Sequence, residues 1–222
     1  IAHVGNGPSG ETWLSGMSFA KDLRGTFALT DYRGAAKNSV THAIKLSSSG
    51  SSFKVSEVKS IVQGLAASDV EHGYDGNLYF ADYGGGWSVN KNGSIQVLRP
   101  TDSKLREVGA ETARMFQKGF AHRSLPELAT FLDHPDQRVR QASQFAMVGK
   151  GAEALGVFSE ITRNDAESEY AVLHALWGLG QLYRQGVDGS ADAIVDALSA
   201  KDPEIRANAS RVAGDSMVTE SR

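Results

Sequence analysis

Bulky apolar residues two positions apart mark the first part of the chain: Phe27 with Leu29, and Leu78 with Phe80. Each run ends in Asp-Tyr followed by a glycine-containing turn, as expected for a strand that buries one face and then reverses. The two runs are copies of one pattern, because Gly25 to Gly34 aligns with Gly76 to Gly85 at an offset of 51 residues. Further strands are predicted at Ser39 to Leu46 and Phe53 to Ile61, on either side of the turn Ser47 to Ser52. Another is predicted at Ser94 to Leu98, after the hairpin signal Asn92-Gly93. Met17 to Lys21 and Ser68 to His72 precede the two copies and are superimposed by the same offset, so both are inner-strand candidates. A repeat near 50 residues with about four strands is the pattern of a propeller blade, and a closed ring takes roughly 4 to 8 blades. Residues 1–101 are therefore expected to be a β-propeller fragment of about two blades, the C-terminal ones of a longer protein.

From Asp102 onward the apolar period lengthens to that of helices, with Lys104 to Lys118 as a connector. Ser124-Leu125-Pro126-Glu127 is a capping box for Leu125 to Leu132. Asp136 caps a helix on which Val139, Ala142, Phe145 and Ala146 share a face, and Asp202-Pro203 opens one carrying Ile205, Ala209, Val212 and Ala213. Val139-Arg140 and Ile205-Arg206 stand 66 residues apart, with the apolar helix Val172 to Leu182 near the midpoint. The spacing predicts an all-α HEAT- or armadillo-like solenoid over residues 102–222.

Composition narrows the function classes. With 41% hydrophobic and 22% charged residues the chain is a globular one, and a formal charge of −3 gives no broad footprint for nucleic acid. No apolar run reaches the roughly 18 residues of a membrane span. There is no cysteine, so disulfides, thiolate metal sites, a cysteine nucleophile and c-type haem attachment are absent from the chain. Neither a Walker loop nor a metalloprotease, nucleophile-elbow or dinucleotide motif is present.

Longer strings carry a resemblance. Gly7-Pro8-Ser9-Gly10, Asp31-Tyr32-Arg33-Gly34, Asp69-Val70, Asp75-Gly76-Asn77-Leu78-Tyr79 and Gly86-Trp87 resemble the last blades of a family of membrane-bound dehydrogenases. The propeller of that family is similar to quinoprotein glucose/sorbosone dehydrogenases. His134 to Ala142 and Leu173 to Gln181 continue the match. The resemblance implies a periplasmic or secreted enzyme that oxidises a small sugar or alcohol with pyrroloquinoline quinone and calcium. It further implies electron transfer to a separate c-type haem domain, which lies outside this chain. The alternative is a non-catalytic glycan- or protein-binding scaffold, with a protein partner on the helical repeats. His72, Tyr74 and Tyr83 to Gly86 depart from the family pattern.

The candidate chemistry lies on the loops that end the strands. Arg33 could hold an anionic cofactor in a bidentate fork, with Asp69 as its companion. Asp31 and Asp82 are candidate oxygen ligands for calcium, and His72 is a candidate general base. The competing reading is that each aspartate accepts backbone N–H groups in an Asx turn and that His72 is packed. His174, beside Trp177 on the most apolar helix, reads as a core histidine.

Overall fold

The computed structural model describes residues 4–50, 52–89, 91–164 and 167–216. The chain divides into two compact units, Ile1–Arg114 and Met115–Arg222.

In the first unit β1 (Pro8–Trp13), β2 (Phe27–Asp31), β3 (Val40–Ser49) and β4 (Ser52–Gln63) form a four-stranded antiparallel sheet in chain order. β5 (Ala67–His72), β6 (Leu78–Asp82) and β7 (Ser94–Leu98) form a three-stranded antiparallel sheet. Alternation decides which side chains are covered: Ala28 of β2 meets Val70, Leu78 and Phe80 of the second sheet, and Leu14 and Phe19 complete that core. β1 lies against β5 because Gly10 has no side chain; a Cβ there would stand 2.5 Å from Asp69 Cα. Ser9 Oγ donates to Ala67 O at 3.1 Å across the same approach.

The expected combination of propeller fragment and solenoid is corrected by this arrangement. Both sheets are open, neither closes on itself or forms part of a propeller, and helices make up the rest. Alternation and turn residues encode each antiparallel ladder locally. A 51-residue repeat is satisfied as well by two separate meanders as by blades of a ring. The inner-strand candidate Met17 to Lys21 is also corrected. That segment folds as turns held by Arg24 Nε donating to Phe19 O (2.8 Å) and Thr26 Oγ1 donating to Leu23 O (2.8 Å), and Pro8–Trp13 takes the edge position instead. The Asn92-Gly93 signal does not close a two-residue hairpin, because β6 ends at Asp82 and β7 begins at Ser94.

Helix α1 (Ser103–Lys118) begins in the first unit, where Gly109 lets it seat on the Asp75-Gly76 turn: a Cβ at Gly109 would stand 2.2 Å from Asp75 O. The second unit contains α2 (Leu125–Phe131), α3 (Gln137–Val148), α4 (Leu155–Arg163), α5 (Glu169–Arg184), α6 (Ser190–Ala197) and α7 (Pro203–Ser216). Side chains cap four of these helices at their first turns. Ser124 Oγ accepts from Glu127 N at 3.4 Å, Asp136 Oδ1 from Arg138 N at 3.0 Å, Ser168 Oγ from Ala171 N at 3.1 Å at the start of α5, and Asp202 Oδ1 from Glu204 N at 2.7 Å. α5 packs against α3, α4, α6 and α7, and its Ala175, Leu176, Leu179 and Leu182 are fully buried.

On α3 the apolar stripe expected from the sequence is covered except at one position: Val139 is buried and Ala142 and Ala146 pack against the core. Phe145 is half exposed, while Arg140, Ser143 and Gln144 are buried beside Val139 and Met147. These polar groups are all satisfied: Ser143 Oγ donates to Leu128 O (2.6 Å) and Arg140 Nη1 to His134 O (2.7 Å). No helix among the described residues is long and apolar enough to cross a membrane.

Candidate functional site

The Asp-Tyr-Arg-Gly turn after β2 and the glycine-rich loop after β6 meet at one edge of the strand unit. Gly86 N donates to Gly34 O at 2.7 Å, and Tyr32 Oη donates to Gly86 O. Gly84, Gly85 and Gly86 have φ of +83, +101 and +85°, a run of left-handed residues that side chains other than glycine's would strain. The loop sets Trp87 across Gly34, edge-on to Tyr32 with ring centroids 5.0 Å apart. Tyr83 also stands edge-on to Tyr32, with ring centroids 6.0 Å apart, and its hydroxyl donates to Ser88 O at 2.7 Å. The Tyr32 phenol is shifted upward by partial burial and then by the neighbouring Tyr83. Trp87 remains 79% exposed.

Beneath this aromatic cluster Asp31 is buried at the end of β2. Its Oδ1 accepts from Asn6 N (3.0 Å) and Gly7 N (2.6 Å), and its Oδ2 accepts from Arg33 Nε (2.7 Å) and Nη2. Burial alone would raise its pKa. The Arg33 hydrogen bond, the Gly7 N–H and the Arg33 charge outweigh that and hold the carboxyl below the usual carboxylate range. Arg33 is thereby aimed, and its side chain is 37% exposed. Asp31 also needs Gly7 where it is, since a Cβ there would stand 2.0 Å from Tyr32 O. His42 faces the same carboxylate from β3, Nε2 to Oδ2 3.9 Å, because its register partner Leu29 lies two residues before Asp31. Neither ring nitrogen of His42 has a hydrogen-bond partner, and both are buried.

The candidates read from the sequence are thus distributed unevenly. Arg33 and Asp31 come together, and Asp82 ends β6 ahead of the adjoining loop, where its Oδ1 accepts from Gly84 N at 3.0 Å. Asp69 is exposed on β5, with Oδ1 accepting from Val70 N at 2.9 Å, and no hydrogen bond or ion pair joins it to Arg33. His72 is buried on β5 with its ring 4.5 Å from that of Phe19. Asp31 is saturated by Arg33 and two backbone amides, Asp69 and Asp82 accept from their own segments, and no cluster of three or more His, Asp or Glu that could hold a metal occurs among the described residues.

Sequence reading passed over the aromatic residues and His42 as site residues. The run of three glycines ahead of an exposed tryptophan was the available signal for the first. For His42 the signal was its pairing opposite the strand that ends in Asp31. Comparison with known proteins gives no matching family model, no similar curated protein and no similar solved structure.

Proposed function

We propose that the strand unit is a carbohydrate-binding surface, with the Tyr32, Tyr83 and Trp87 cluster as its platform and Arg33 and Asp82 as its polar flank. The observation that carries this reading is an indole left 79% exposed on a loop whose backbone is pinned at both ends. A large aromatic surface left in water gains nothing from folding, so a rigid loop that presents one suits a partner that covers it. The C–H face of a pyranose ring covers an indole, while its hydroxyls need planar donors and acceptors at the ring's edge. Arg33 offers donors fixed in direction by Asp31, and Asp82 offers its second carboxylate oxygen. Binding of this kind requires neither metal nor cofactor.

The test is titration calorimetry with a panel of gluco-, xylo- and chito-oligosaccharides. At least one should bind saturably, and Trp87→Ala should weaken that binding by about tenfold while the melting temperature stays nearly unchanged. Binding unaffected by Trp87→Ala, or a panel with no saturable binder, would overturn the reading.

A further inference from the structure

A second concave site lies away from the aromatic cluster, where the turn before β2, β4 and the segment from β7 into α1 surround an open cavity of about 550 Å³. Its walls are Phe19, Leu23, Ile61, Leu98 and Leu105. Leu98 is 45% exposed there, although it ends the strand whose neighbour Leu78 is fully buried. The volume lies within the range of small-molecule pockets, roughly 300 to 1,000 Å³.

Two cations line the opening, and they are not equivalent. Lys59 is held by Asp22 at 2.5 Å, which raises the lysine pKa through the hydrogen bond and the charge of that carboxylate. Arg99 has no such partner: no carboxylate hydrogen-bonds or ion-pairs with it among the described residues. The adjacent Asp102 is turned to the start of α1, where its Oδ1 accepts from Lys104 N at 2.8 Å. The positive end of the helix offsets its charge. Arg106 donates to Pro100 O (3.0 Å) and Thr101 O (2.6 Å), so the turn that carries Arg99 is fixed to the helix from its far side.

We infer that this cleft binds an amphipathic monoanion, a carboxylate with a medium-length hydrocarbon chain. The chain would lie along Phe19, Leu23 and Leu98 and the carboxylate would take the bidentate fork of Arg99. The single uncompensated cation beside an apolar wall is what selects this class. A neutral apolar molecule would leave Arg99 idle, and a dianion would meet only one free positive charge.

The probe is sodium decanoate, added to the full chain below its micelle-forming concentration and followed by calorimetry and by backbone amide shifts. Decanoate should saturate one site, decanol should bind about tenfold more weakly, and Arg99→Gln should remove that difference without altering the far-ultraviolet spectrum. Leu98→Ser should weaken decanoate and decanol together. Equal binding of decanoate and decanol to the parent protein would overturn the inference, as would decanoate affinity unchanged in Arg99→Gln or amide shifts confined to other parts of the chain.

Discussion

His174 accepts a hydrogen bond on one ring nitrogen and donates one from the other, and Arg140 sets the direction of both. The Arg140 guanidinium donates from Nε to His174 Nε2 at 3.3 Å, so the proton of the neutral ring sits on Nδ1 and goes to Gln144 Oε1 at 2.7 Å. Gln144 in turn donates to Gln181 Oε1 at 3.0 Å, and Arg140 stacks on Tyr170 at 4.4 Å. Burial, and then the Arg140 charge, lower the His174 pKa to about 4. The unfolded chain therefore binds a proton that the folded chain refuses between about pH 6.5 and 4. The stability this neutral histidine contributes is complete above pH 6.5 and is lost as the pH falls through that window, by about 3 kcal/mol in all. Urea unfolding at several pH values should show this loss, and His174→Gln should flatten the slope over the same window. Parallel slopes in the two proteins would refute it. A core histidine at 174 was legible from its apolar helix. Its partners were not, because Arg140 and Gln144 lie on another helix whose polar residues read as solvent-facing.

At the scale of elements, glycines decide how closely α5 meets its neighbours. A Cβ on Gly178 would stand 2.5 Å from Phe158 Cζ, and one on Gly180 would stand 2.7 Å from Val212 Cγ1. Alanine at 178 gains up to about 1 kcal/mol in helix propensity, but it forces Phe158 out of a fully packed position at a cost of about 1 to 3 kcal/mol. Gly178→Ala should therefore lower stability by up to about 2 kcal/mol, measured by urea unfolding, and pairing it with Phe158→Leu should recover part of the loss. A more stable Gly178→Ala protein would show that the helices can separate at no cost. Helix starts were readable from Ser124, Asp136 and Asp202 because a cap acts within three residues. That Ser143 and Gln144 would be covered on α3 as well was not readable, since their partners, Leu128 O and His174, lie on other helices.

Across the whole molecule, the two units differ in how much apolar side chain they enclose. The helical unit holds one large buried cluster spread over α2 to α7, whereas the strand unit has a smaller one around Val70, Leu78 and Phe80, and every residue of β7 is exposed. Local opening should follow that difference. Amide hydrogen exchange is expected to be slowest in α5 and fast along β7 and the outer half of β4. Protection of Ile95 and Val97 equal to that of Leu176 and Leu179 would contradict it. The strand-to-helix change near residue 101, the turn glycines and the helix caps were encoded in neighbouring residues, whose steric and hydrogen-bonding preferences act over a few bonds. Whether the repeated strands form a ring or two open sheets was decided only in three dimensions, as was the placement of Arg33 on Asp31 and of Trp87 on Gly34. Those outcomes depend on contacts between segments far apart in the chain, where shape complementarity and the burial of charge act and no local pattern records them.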